Sequence, residues 1–394
     1  MMRYCLFERD LKYQMKGTAN VFKKKLFSRA VAAWRWIPLW TKIIMAITLA
    51  SCIIHYASVK SPEFAGFFNY YVAGAVRALL STVMWIIPFS FAELLILLLP
   101  VMLIVLIVVG FKLAGSDLAF KRIICGMLSV LMCFYSIFVW TFATGYRAAR
   151  LDERLELVTV EPAIEPLYET AHWLMTETNR LSAEITYGED GASIMPYSLS
   201  EMSAKLGDAM DVASDEYGLF FNFPTRAKPV LLSRVMSRAH ITGIYTFFTG
   251  ESNLNVDFPD YTLPHTAAHE FSHQRGISRE DEANFVAFLI CVSSDDPYIQ
   301  YSGYLNMFEY TVNTLHGYDP DAYGELIGMC TDEVRGEMIA YGEFFEQYRD
   351  TTLSEVSDAV NDATLKLNGT EGTISYSLVV NLAISYHNTK ISDR

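Results

Sequence analysis

The sequence predicts a membrane protein in which three N-terminal transmembrane helices are followed by a mainly helical α+β domain. Three observations carry this prediction. Residues 1–150 hold 17 Lys+Arg against 5 Asp+Glu, a net of +12, whereas residues 151–394 hold 14 against 39, a net of −25. The chain is 52% hydrophobic, and its bilayer-length apolar runs all fall in the basic part. In the acidic part, apolar residues recur at helical spacing and strand-like sequence is confined to two short stretches.

Taken in order, the first 42 residues contain ten Lys/Arg, including Lys23, Lys24 and Lys25, and residues 37–59 are long enough to span a bilayer. The positive-inside rule then keeps the N-terminus in the cytoplasm. Leu49-Ala50-Ser51-Cys52 has the order of a lipoprotein cleavage site, but its basic region would be over forty residues long and the apolar run continues past Cys52. The span is therefore expected to stay uncleaved.

Residues 64–83 read as an amphipathic helix, with apolar positions close to a 3.6-residue period. Ser90 and Glu93 form a capping box at the head of a second span, 91–111, which Pro100 is expected to kink. Lys112, Lys121 and Arg122 mark a short inside loop before a third span, 123–143. Three spans from an inside start place everything after about Tyr146 on the far side of the membrane.

Residues 146–394 suffice for one domain with a substantial core, and no Pro/Gly/Ser-rich linker or repeat divides them. Helical patterns fall at 162–186, 199–215, 297–316, 328–349 and 374–388, with Ser198 and Glu201 capping the second. Strand-like sequence falls at 228–232 and 241–249. Of six cysteines, Cys291 and Cys330 alone lie in the acidic part, either as a disulfide or as buried thiols.

The most informative stretch is HTAAHEFSHQRGISREDEAN, His265 to Asn284. His269, Glu270 and His273 spell H-E-x-x-H, and residues four apart on a helix share a face, so two imidazoles can close on one ion. Glu270 stands where a general base acts on water acidified by zinc, whose pKa falls to about 7. Pro264 suits the first helical position and Gly276 the left-handed residue past the helix end. Ser278 and Asp281 give an S-x-x-D pattern opening a second helix from Arg279 to about Val292.

Catalytic zinc takes three protein ligands and leaves a position open. Glu280 and Glu282 both reach the first turn of the second helix, and spacing alone does not separate them; Glu280 is preferred. Asn284, four residues on, is placed to hydrogen-bond a ligand. His265 lies one turn before His269, either as a further ligand or as an extra polar residue on the same face. The motif arises by chance in roughly one chain of this length in a hundred, and the plain alternative is an amphipathic helix with two surface histidines. A hydrolase also needs a donor for the developing oxyanion; Tyr376 is the candidate, with Tyr301, Tyr304 and His240 as others.

The run LPHTAAHEFSHQRGISREDEANFVAFL, with GIYTFFTGESNLN before it and three apolar spans upstream, resembles a family of uncharacterised bacterial membrane proteins grouped with the zincin-like peptidases. The resemblance is sharpest at His269 to Gly276 and Glu280 to Phe285. It implies a gluzincin-type, zincin-like metallopeptidase domain and a metal site, without implying a substrate. In many gluzincins the third ligand lies in E-x-x-x-D, whose Asp braces a histidine; here Glu280 is followed by Asn284, which keeps hydrogen bonding but removes a charge. By the same resemblance, residues 245–249 are an edge strand for pairing an extended substrate, the alternative being a core strand beneath the site.

The expected activity is a zinc-dependent metalloendopeptidase in the bacterial cytoplasmic membrane, with its C-terminal domain extracytoplasmic. Its partners would be the lipid bilayer and a peptide or exported protein. The alternative is a non-hydrolytic envelope sensor or binding protein with a structural or regulatory zinc. The net of −25 argues against nucleic acid as a partner.

Overall fold

The structure is a computed structural model that describes residues 34–113, 116–158, 163–349, 351–370 and 378–391. It is mostly helical, with a small sheet. Among the described residues, three helices are long and apolar enough to cross a membrane, α1 (Leu39–Lys60), α4 (Phe91–Leu113) and α5 (Asp117–Phe138). The chain forms two compact units, Met1–Ser51 with Leu99–Ser136, and Cys52–Leu98 with Ile137–Arg394.

In the first unit, α1 and α5 meet through small polar residues. Thr48 Oγ1 lies 3.2 Å from Ser136 Oγ, and Ser129 Oγ donates to Thr41 Oγ1 at 3.4 Å. Small hydroxyl residues at a helix interface suit association in lipid, where apolar burial gives no driving force. The helix α4 runs unbroken through Pro100.

The second unit opens with α2 (Pro62–Phe67), a π-helical stretch (Phe68–Ala73) and α3 (Gly74–Trp85), which together occupy the expected amphipathic helix. After the π-helical turn Val139–Ala143 come α6 (Leu151–Arg154), α7 (Ile164–Ser182) and α8 (Leu199–Tyr217). The Ser198–Glu201 capping box is present, and Gly218 closes α8 at φ +62.

A three-stranded sheet follows, β1 (Ala227–Pro229), β2 (Gly243–Thr246) and β3 (Glu251–Leu254), with α9 (Ser233–Arg238) between the first two. Its order is β1-β3-β2, so β2 is an edge. β1 pairs parallel with β3, and β2 antiparallel, Gly243 opposite Leu254 and Thr246 opposite Glu251. The central strand lies outside the expected strand stretches, because its Glu-Ser-Asn sequence is polar. Tertiary partners supply the reason: Glu251 pairs with buried Lys228, Ser252 Oγ donates to Glu270 O at 3.2 Å, and Asn253 Nδ2 donates to Ile244 O at 3.0 Å. Satisfied in this way, buried polar groups are tolerated.

The core is formed by α10 (Thr262–Gln274), α11 (Glu280–Val292) and α12 (Pro297–Tyr318), with Phe271, Phe285, Phe288 and Phe308 fully buried among them. Each such side chain contributes about 1.5–3 kcal/mol, so packing rather than helix propensity fixes α10 and α11. Within the expected 328–349 lies α14 (Asp332–Glu346), opened where the Thr331 side chain caps Val334 N at 3.3 Å, while α13 (Pro320–Met329) before it was not expected. The helix α15 (Thr352–Leu367) was not expected, and α16 (Leu378–Tyr386) lies within the expected 374–388. Cys291 and Cys330 are buried free thiols, not a disulfide.

Candidate metal centre

The helix α10 begins at Thr262, with Pro264 at its third position, where a missing N–H leaves nothing unpaired. Ser302 of α12 serves the helix start: its Oγ donates to Tyr261 O and accepts from His265 N at 3.1 Å. The C-terminus is a Schellman turn. Gly276 sits at φ +92, Gly276 N donates to His273 O at 2.9 Å and Ile277 N to Ser272 O at 3.1 Å. That turn also orients a candidate ligand, because Ile277 O lies 2.7 Å from His273 Nδ1. With Nδ1 donating, Nε2 keeps its lone pair for a metal.

The turn is gripped from α3 and the π-helical segments. Arg77 is fully buried and donates to Asn69 Oδ1 (3.0 Å), Asn69 O (2.7 Å), Thr141 O (2.8 Å) and Arg275 O (3.0 Å). Asn69 Nδ2 donates to Gly276 O at 2.9 Å. Ser278 does not cap α11; its Oγ donates to Phe142 O at 2.9 Å, and Arg279 is the N-cap residue. Asp281 pairs with Arg150 at 3.0 Å.

Residues two apart on a helix point about 200° apart, and the two candidate glutamates diverge accordingly. Glu282 accepts from Leu151 N at 3.1 Å and Arg279 Nη1 at 2.9 Å, away from the histidines. Glu280 Oε2 lies 3.3 Å from His269 Nε2 and 3.5 Å from His273 Nε2. The two imidazoles stand at 90° with centroids 4.5 Å apart. Ligand atoms of His269, His273 and Glu280 lie within 4.8 Å of one another.

This donor set fits zinc. Bonds of about 2.0–2.1 Å at tetrahedral angles separate neighbouring ligand atoms by about 3.3–3.4 Å, close to the two measured Nε2···Oε2 separations. Two imidazoles and one carboxylate also suit zinc by type. Burial lifts the Glu280 carboxyl, but His273 and His269 overcome it and hold the group well below the usual carboxylate range. Burial lowers the His273 imidazole while Glu280 raises it further, to about 9. These opposed shifts are those of a mutual ion pair, each group favouring the charged form of the other.

Glu270 lies on the same helix turn, pushed up by burial and drawn down by His269 and His273. One oxygen is held by the Tyr245 amide, and Oε2 is buried without a partner. Gly243 of β2 lies against it, where a Cβ would come within 2.7 Å of Glu270 Oε1. His265 is apart from the ligand trio; burial and then His269 lower its imidazole to about 3, and it bonds the Asn284 backbone. Asn284 lines the cavity with Nδ2 buried and unpartnered, and its side chain bonds neither histidine.

The trio opens onto a cavity of about 1060 Å³. Its walls include Gly243, Ile244 and Tyr245 of β2, Asn306, Glu309 and Tyr310 of α12, and one face of α15. Glu309 accepts from Tyr261 Oη at 3.2 Å, and burial pushes its carboxyl up to about 8. Tyr310 is raised to about 12 by burial, then by Glu309 and Glu280. The expected Tyr376 lies outside the described residues. Tyr301 and Tyr304 are not in the cavity: Tyr301 is buried against Glu337, and Tyr304 packs on Trp173 and Phe288. His240 does line it, its Nε2 2.7 Å from Tyr348 O. Sequence reasoning missed Glu309 and Tyr310; the available signal was Asn306, Glu309 and Tyr310 at i, i+3, i+4 in a helix otherwise rich in apolar residues.

A family model described as "Protein of unknown function (DUF3810)" matches residues 68–384. No curated protein and no solved structure matches the chain.

Proposed function

The chain belongs to the DUF3810 family, and we propose that it is a membrane-anchored zinc metalloendopeptidase, with a zincin-like domain that hydrolyses peptide bonds outside the cytoplasm. The carrying observation is the trio of His269, His273 and Glu280, set beside Glu270 and a sheet edge in one cavity. These three residues would hold the metal. When bound, zinc supplies a Lewis acid that polarises the substrate carbonyl and makes water acidic enough to lose a proton near neutral pH.

The chain's own groups supply the rest. The unpartnered Oε2 of Glu270 takes the proton from the attacking water and returns it to the leaving amine. The Tyr245 amide fixes the other oxygen, so the base is oriented before substrate arrives. An extended substrate pairs along the outer edge of β2 at the backbone groups that Glu270 leaves open, which makes recognition tolerant of sequence. Tyr310, facing the cavity near Glu280, is assigned as donor to the oxyanion. An open cavity at the trio favours this reading over a sensor, whose metal needs no such space.

The test compares the purified full-length chain with Glu270→Gln for zinc content and for cleavage of an unbiased peptide library. The expected result is about one zinc in both proteins and cleavage by the wild type alone. Zinc in both with cleavage in neither would refute the hydrolase; no zinc in either would refute the metal site.

A further inference from the structure

The metal centre is joined to the end of an apolar span. Phe142 is the penultimate residue of the apolar helix Asp117–Ala143, and it is also a wall of the cavity. Its ring stands edge-on to the His273 ring at 5.6 Å and lies 5.7 Å from the Tyr245 ring. One turn earlier, Phe138 packs at 5.2 Å on Phe247, which directly follows β2. A second span end is attached to the same sheet: Glu251 of β3 accepts from Phe91 N at 2.9 Å and Ala92 N at 2.8 Å, and Glu93 accepts from Leu231 N and Leu232 N.

Helix length sets the depth of Phe142. Lys121 and Arg122 belong at one polar face of a bilayer, and a hydrocarbon core of about 30 Å takes about 20 residues at 1.5 Å each. Counted from Ile123, that length ends at Phe142. A metal ligand in ring contact with Phe142 therefore stands at the hydrocarbon boundary, within about 5–6 Å of it. The cavity mouth has a matching character: Ile244, Leu353, Val356 and Val360 all line it and are 41–61% exposed.

Resting on the peptidase reading above, we infer that the substrate is a polypeptide anchored in the same membrane and cut close to its exit from the bilayer. The headgroup region is about 5–7 Å thick on each side, and an extended chain advances about 3.3–3.6 Å per residue. The cut therefore falls about two to four residues beyond the hydrocarbon. The exposed apolar residues at the mouth take the apolar side chains that flank such a segment, and a folded soluble protein is kept away by the bilayer surface itself.

The test places the full-length chain in phosphatidylcholine–phosphatidylglycerol vesicles. The probe is the library peptide cut most readily in detergent, fused to a single apolar helix through spacers of about 4, about 12 and about 30 residues. All three fusions share the same surface density, so spacing is the only variable. The expected result is that the shortest spacer is cut at least about 10-fold faster than the longest in vesicles, and that the three rates converge in detergent. Equal rates in vesicles, or fastest cleavage with the longest spacer, would overturn the inference while leaving the peptidase standing. Cleavage of no fusion and no free peptide, in vesicles or in detergent, would overturn the peptidase and this inference together.

Discussion

Replacing Arg77 with leucine tests whether the helices that grip the metal turn belong to the site. Arg77 has no carboxylate partner in that grip; its four bonds go to one amide oxygen and three backbone carbonyls. Removing the guanidinium leaves buried acceptors unpaired, at about 1–3 kcal/mol each, while sparing the cost of burying a cation. Relaxation at the new cavity reduces the sum, and a net loss of about 3–5 kcal/mol follows from the four unpaired acceptors. The loss is focused on Arg275 and Gly276, directly before the Ile277 carbonyl that orients His273. Disturbing such a support costs about 10–100-fold in metal affinity. Zinc competition against a chelator, with thermal unfolding of the full-length protein, reads both effects. Arg77→Lys keeps the charge but loses the planar fork and is expected to fall between the two. A leucine variant with wild-type zinc affinity and an unchanged midpoint would refute the reasoning.

Three further outcomes are expected. Gly243→Ala brings a methyl against Glu270 Oε1 and should lower kcat by at least about 10-fold with zinc content unchanged; a steady-state titration showing wild-type kcat would contradict the placement. Tyr310→Phe should lower kcat by about 10²–10³-fold with little change in KM, and a pure KM effect would remove it from the oxyanion role. Glu309 has its folded pKa raised to about 8 by burial, so its contribution is fully present below the unfolded value near 4.5 and is lost as pH rises through about 8. Glu309→Gln should match the wild-type melting midpoint at pH 5 and exceed it by a few degrees at pH 9; a gap independent of pH would refute that.

How much was legible depended on whether chemistry or tertiary contact dictated the residue. His269 and His273 were legible as a pair because residues four apart share a helical face, and Gly276 because its φ of +92 excludes most side chains. Glu280 and Glu282 were inseparable on paper: both suit a helix N-terminus, and only the Arg279 and Leu151 partners of Glu282 show which faces away. The polar strand β3 was illegible because Lys228 and Glu270, distant in sequence, and Ile244 of the paired strand make its burial tolerable. Ser278 read as a cap because Phe142 O, its actual acceptor, lies 136 residues away.

The grip of Arg77 on Arg275 joins positions 198 residues apart, and that of Glu251 on Phe91 joins positions 160 apart. During synthesis, the helices made first emerge with their donor set only partly accepted, Arg77 still lacking Arg275 O and the Phe91 and Ala92 amides still lacking Glu251, until those later residues are translated. Closure of the Arg275–Gly276 turn is therefore a late event, completed against helices already synthesised. A fragment begun at about residue 146 would omit those helices, taking with them Arg77, Asn69 and the Thr141 and Phe142 carbonyls. Such a fragment should be a chaperone client and a protease target rather than a soluble enzyme.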